Sequence, residues 1–171
     1  FDVQRYPIFE KLNEKQLGFF WKPDEIDVSK DATDFKRLTD HEKHIFMSNI
    51  KRQTFLDSVQ GRSPVLALLP FVSLPELESL IETWSFVESA IHARSYSYLL
   101  QNVLSNPSIV LDDIIRNTTI MAHAKQSTKY YDDLIEYGYL YNALGAGKHR
   151  VNAKTIDIEL RELDVWHLSM F

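Results

Sequence analysis

Apolar residues recur at three- and four-residue steps along almost the whole chain, the spacing of one face of an α-helix. A first helix is predicted over residues 8–20, with Ile8, Leu12 and Phe19 sharing one side. Trp21-Lys22-Pro23 follows as an extended turn forced by the proline. Thr39 and Glu42 make a capping box for a helix that runs to about Gln60 and ends at Gly61. Residues 62–72 read as a short apolar connector punctuated by Pro64 and Pro70. Ser73 with Glu76 makes a second capping box, with Pro75 in the first turn, opening a long central helix. That helix runs to about Ser105, where Asn106-Pro107 stops it, and two more are predicted over 108–116 and 119–144. Beyond Gly145 and Gly147 the pattern changes. Val151, Thr155, Ile156 and Ile158 are β-prone around Asn152-Ala153-Lys154, predicting a small hairpin, with a further helix beginning near Leu160.

The expected architecture is mainly α: a single domain over residues 1–171, a helical bundle with one β-hairpin near its C-terminal end. A chain of 171 residues is long enough to bury a sizeable core. Nineteen Lys and Arg against 24 Asp and Glu give a net charge of −5, which offers no basic footprint for nucleic acid. With no cysteine there is neither a disulfide framework nor a thiolate zinc site. No apolar run reaches bilayer length, so a cytoplasmic protein without membrane contact is expected.

The chemistry concentrates in the central helix. Glu88, His92 and Tyr96 follow one another at four-residue steps and so share a face, among Leu80, Trp84, Ile91, Tyr98 and Leu99. Glu and His are rarely buried unless paired or metal-bound. A carboxylate and an imidazole beside a phenol suggest a metal that oxidises a tyrosine; the plainer alternative is a surface ion pair and a core tyrosine. Asp57 lies near the C-terminal end of the preceding long helix, on one face with Phe46, Ile50 and Gln53. There an aspartate opposes the helix dipole, and it reads either as a solvated residue or as a ligand pointed into the bundle. Oxygen-rich donors with imidazole suit iron or manganese. Trp21 reads on its own as an aromatic plug over the bundle end. Asp40-His41-Glu42-Lys43-His44 reads as the solvated first turn of a helix, and the tyrosines between Tyr130 and Tyr141 as packing.

At this level of detail the chain resembles a known family. Phe9-Glu10-Lys11-Leu12, Glu14-Lys15-Gln16-Leu17 and Phe19-Phe20-Trp21 match the start of the class I ribonucleotide reductase small (beta) subunit, bacterial and phage type. So do His41-Glu42-Lys43-His44, Leu56-Asp57-Ser58-Val59-Gln60-Gly61-Arg62-Ser63-Pro64 and His92-Ala93-Arg94-Ser95-Tyr96, in matching order from about residue 3 to 163. The resemblance implies a ferritin-like homodimer. It also implies a di-iron centre, with manganese as the alternative metal, that oxidises a tyrosine to a stable radical. That radical passes to a large (alpha) subunit, which reduces ribonucleoside diphosphates for DNA replication. By motif, Asp57, Glu88 and His92 match ligands of the first iron, Tyr96 the radical tyrosine, and Trp21 the tryptophan that passes an electron to the centre.

Two departures from the family pattern carry expectations. The family places two residues between the Glu and the His, whereas this chain has Ser89, Ala90 and Ile91; a one-residue π-bulge is expected to absorb the insertion. The family's second set of ligands is not found, and residues 164–171 leave its pattern. The bundle is therefore expected to be incomplete, an N-terminal half that is inactive alone. The alternative reading is a catalytically inactive helical fragment that acts by interaction or complementation with a separate C-terminal half.

Overall fold

A computed structural model describes residues 3–152 and 155–160. Helix α1, Pro7–Gly18, opens on a proline and ends two residues before the expected limit, where the Phe19 N–H closes onto the Gln16 and Leu17 carbonyls. It packs on α5, Pro75–Phe86, through a polar face. Buried Asn13 donates to Ser79 Oγ at 2.9 Å, and Glu76 Oε1 accepts the Arg5 and Tyr6 backbone N–H groups at 3.0 Å each. Two expectations fail for this one reason. Ile8, Leu12 and Phe19 form the outer side of α1, not its packed side, and remain 55%, 43% and 67% exposed. Glu76 is no capping-box partner for Ser73, because its carboxylate is committed to α1; Leu74 is the N-cap and Pro75 alone begins α5 as expected.

Lys22 is extended before Pro23, as the residue preceding a proline should be, and a 3-10 turn covers Pro23–Glu25. Helix α2, Asp31–Arg37, was not expected; it lacks a side-chain cap and an apolar stripe long enough to announce it. Helix α3, Asp40–Gln60, begins with the expected capping box: Thr39 Oγ1 accepts the Glu42 N–H while Glu42 Oε2 accepts the Thr39 N–H at 2.8 Å. The expected connector is instead α4, Ser63–Leu68, followed by a 3-10 turn at Leu69–Phe71. Pro64 and Pro70 sit in the first turns of these two segments, where no N–H is needed, so they start structure rather than break it.

The long central rod is continuous in direction but not in type. After α5 comes a π-helical segment, Val87–His92, then α6, Ala93–Val103. Helix α7 spans Pro107–Arg116 and α8 spans Thr118–Leu144, the latter capped by Asn117 Oδ1 on the Thr119 and Ile120 N–H groups at 3.1 Å. Gly145 ends α8 at φ 74°, a left-handed conformation suited to glycine. Strands β1, Gly147–Asn152, and β2, Thr155–Leu160, pair antiparallel with Asn152 opposite Thr155; the hairpin is present and its first strand begins earlier than expected. Leu160 belongs to β2, and the helix and departing tail expected after it lie outside the described residues.

Helix α3 crosses the π segment, α6, α7 and α8, while α4 packs on α8 around Ala67, Tyr131 and Leu134. Ile81, Ile91, Leu100 and Val103 line the buried side of the central rod. Among the described residues no helix is long and apolar enough to cross a membrane.

Candidate metal centre

The site is built where the end of α3 meets the π segment. The Gly61 N–H closes onto the Asp57 carbonyl at 2.8 Å, ending α3 one turn after Asp57. A Cβ on Gly61 would stand 3.1 Å from Ser89 Cβ and 3.2 Å from both Ser89 N and Asp57 O. Any larger residue would press these neighbours back by a few tenths of an ångström, so glycine lets the two elements come this close without displacement. Ser85 Oγ donates to the Gly61 carbonyl and clamps the approach from the α5 side.

One residue inserted into a helix shifts the backbone register, and the structure absorbs it as the sequence leads one to expect. The Ala93 N–H bonds the Glu88 carbonyl five residues back, the π pattern. Ser89 Oγ donates to the Ser85 carbonyl at 2.7 Å and Ser95 Oγ to the Ile91 carbonyl at 2.5 Å, supplying partners where the ladder changes pitch. Glu88 does not swing away.

Asp57, Glu88 and His92 each offer a ligand atom, and these atoms lie within 4.8 Å of one another. His92 Nδ1 is 2.8 Å from Glu88 Oε2 and 3.4 Å from Asp57 Oδ2. The side chains of Asp57 and Glu88 are 15% and 16% exposed and that of His92 is 36% exposed, so the cluster is half-buried rather than enclosed. Among the described residues no lysine or arginine pairs with either carboxylate. Two carboxylates thus converge on one imidazole nitrogen with no fixed cation between them, a donor set that a divalent ion of hard or borderline character satisfies.

Tyr96 completes the group. Its O–H donates to Asp57 Oδ2 at 2.6 Å. Burial, then the hydrogen bond and charge of Asp57, then the charge of Glu88 push the phenol well above its ordinary pKa. Trp21 is half-buried and lines, with Tyr96, Ile26, Val28 and Leu99, a nearly apolar cavity of about 170 Å³. No hydrogen bond among the described residues joins it to the three donors.

Two contributors were not anticipated. Gly61 reads in sequence only as a helix end. Trp84 reads as an apolar flank, yet its Nε1–H donates to Glu88 Oε1 at 3.3 Å; the signal was its place one step earlier in the same four-residue series. A cavity of about 680 Å³ lies between α3, α7 and α8 against His44, Lys51, Arg52, Asp113 and His123. None of the cluster's residues lines it, so cavity size does not locate the chemistry here.

A family model described as ribonucleotide reductase, small chain, matches residues 2–146. The ribonucleoside-diphosphate reductase subunit beta of Buchnera aphidicola subsp. Baizongia pistaciae is 58% identical over 163 residues, covering 95% of this chain and 43% of that protein. The subunit beta of ribonucleoside-diphosphate reductase 1 from Escherichia coli O157:H7 is 55% identical with the same coverage. The chain therefore spans less than half the length of these curated relatives. Among solved structures, the ribonucleotide reductase R2 subunit from Clostridium botulinum superposes with a TM-score of 0.70 at 27% identity, over 82% of this chain and 46% of that one. The dimanganese(II)-NrdF of Streptococcus sanguinis superposes with a TM-score of 0.72 at 22% identity, over 82% and 52%, a likeness of fold. The helical, ferritin-like bundle expected from the sequence is the fold these neighbours share.

Proposed function

The chain belongs to the ribonucleotide reductase small-chain family, and from that premise we propose that Asp57, Glu88 and His92 hold a metal ion of a radical-generating centre. The single observation that carries this reading is the convergence of their three donor atoms within 4.8 Å, with the Tyr96 hydroxyl 2.6 Å from one of them. Iron is the metal proposed; the oxygen-rich set also accommodates manganese. When bound and oxidised by dioxygen, the metal would supply the one-electron oxidising power that a phenol requires.

The chain's own groups do the rest. The raised pKa keeps Tyr96 protonated at neutral pH, so loss of an electron from the ring must be accompanied by loss of the hydroxyl proton. Asp57 Oδ2 already accepts that hydrogen bond and is the atom that receives the proton. The half-buried setting of Asp57 and Glu88 limits water at the phenol. Trp21 would pass an electron inward, a role supported by its place on the wall of the apolar cavity it shares with Tyr96. The oxidised tyrosine would serve a large subunit that reduces ribonucleoside diphosphates in the cytoplasm, with the small subunit acting as a homodimer.

A second reading has one observation in its favour. Bundles of this kind use carboxylates from four helices and two Glu/His pairs for two metals, whereas the described residues hold one group of three donors. A helical module completed by a separate chain would look the same. Both are tested by anaerobic Fe(II) loading of the 171-residue chain, desalting, iron analysis and exposure to dioxygen under electron paramagnetic resonance. Retained iron that is lost in Asp57→Ala and His92→Ala supports the ligand set. An organic radical that disappears in Tyr96→Phe supports the full reading, and retained iron with no radical supports the module. A wild-type chain that keeps no iron overturns the proposed ligand set.

A further inference from the structure

Di-metal carboxylate bundles set two residues between the Glu and His of a pair, whereas three, Ser89, Ala90 and Ile91, stand between Glu88 and His92. In an unbroken α-helix one extra residue turns everything beyond it by about 100° and carries it about 1.5 Å along the axis. The π segment confines that change to Val87–His92, and the Ala93 N–H reaches back to the Glu88 carbonyl. Glu88 therefore sits in a wide turn, yet its carboxylate still meets Asp57 and His92. The turn touches the end of α3 through Ser89 and Gly61, which have almost no apolar surface to bury. Hydroxyls hold the contact instead. Ser89 Oγ donates to the Ser85 carbonyl at 2.7 Å, and Ser85 Oγ donates across the gap to the Gly61 carbonyl. Carbonyls at the end of a helix have no partner within it, so Ser85 also satisfies an acceptor that α3 leaves open.

Resting on the metal-centre reading above, we infer that Ser85 is a positioning residue: its hydroxyl ties the end of α3 to the helix just before the π turn and so keeps Glu88 facing Asp57 despite the extra residue. Asp57 lies four residues before Gly61, and Glu88 three after Ser85, so this one bond fixes the separation of the two carboxylates from both sides. Without it the metal-free chain lets the two elements part, and a metal that has to draw them together binds more weakly.

The 171-residue chain, wild type and variants, is titrated with Mn(II) alone, and free aquo-Mn(II) is followed by its electron paramagnetic resonance signal. Ser85→Ala is expected to bind about fivefold more weakly, the net effect of one hydrogen bond, while Ser85→Thr, which keeps a hydroxyl, stays within about twofold of wild type. The comparison is repeated in a chain lacking Ala90, where the spacing returns to two residues. There Ser85→Ala is expected to change affinity by less than about twofold, because the cycle reads the coupling between hydroxyl and insertion. Should the shortened chain not fold, amide exchange in metal-free Ser85→Ala takes its place. Faster exchange at Ala93, whose N–H closes the π turn, supports the role, and unchanged exchange overturns it. A serine that serves stability alone would lower the melting temperature of the metal-free chain and leave Mn(II) affinity as it was. That result overturns the positioning role and leaves the metal site standing. So does an equal loss with and without Ala90, or an equal loss in Ser85→Thr. A wild-type chain that binds no Mn(II) overturns both readings.

Discussion

Gly61 shows how much of this site depends on a carbon that is not there. Its φ of −69° is open to any residue, so the requirement is space rather than backbone freedom. The atoms an added methyl would meet, Ser89 N, Ser89 Cβ and Asp57 O, belong to or adjoin the main chain of two packed elements and cannot swing aside. Gly61→Ala is expected to cost about 1–3 kcal/mol in urea unfolding, the range for overpacking, and to weaken metal binding by separating Asp57 from Glu88. Tyr96 makes a separate prediction. Its folded-state pKa is raised, so the native state keeps a proton that the unfolded chain releases as pH passes about 10. Its stabilising contribution is therefore complete below about pH 10 and lost as pH climbs toward the folded value. Tyr96→Phe should make the alkaline fall in melting temperature shallower. It should not abolish that fall, because burial also raises the pKa of Tyr131, against the opposing pull of its hydrogen bond to Gln60. At this scale Asp57, Glu88, His92 and Tyr96 were all legible from spacing and motif. Trp84 and Gly61 were not, since a donor's use and a missing carbon's purpose depend on what stands opposite.

The helices reveal where periodicity is a sound guide and where it misleads. The capping box at Thr39 and the stop at Gly145 are local events, decided within a few residues, and they appear as expected. The π segment was foreseen because a one-residue insertion beside a fixed Glu/His pair leaves few other solutions. Helix α1 went the other way. An apolar stripe alone would turn Ile8, Leu12 and Phe19 inward, but buried Asn13 and Glu76 have hydrogen bonds to make, and their orientation sets the face that packs. Hydrogen bonds from the Tyr6 and Arg5 amides help hold the Glu76 carboxyl below its ordinary pKa. That contribution is present above the unfolded carboxylate range and fades as pH falls through the lower folded value. Glu76→Ala should speed hydrogen exchange at the Arg5 and Tyr6 amides and loosen α1 on α5. Unchanged protection at those two amides would show that the carboxylate does not anchor the segment.

Taken whole, the described residues pack α1 on α5 through polar contacts and α4 on α8 through Ala67, Tyr131 and Leu134. Leu134 is 4% exposed, and its truncation to alanine is expected to cost about 2–5 kcal/mol by thermal or chemical unfolding. Leu134 packs in the α4–α8 cluster while the Arg5 and Tyr6 amides are held by Glu76 of α5, so Leu134→Ala should leave exchange at Arg5 and Tyr6 unchanged at temperatures where the chain stays folded.

Helical class, the cap at Thr39, the hairpin and the identity of four residues at the site were readable along the chain, because each rests on neighbours within about one turn or on a short motif. The meeting of Asp57 with Glu88 and His92 was expected and is found, whereas the outward turn of the apolar side of α1 and the close approach of Gly61 to Ser89 were not read from the chain. Those features depend on how whole helices pack against one another, which the spacing of apolar residues constrains only loosely.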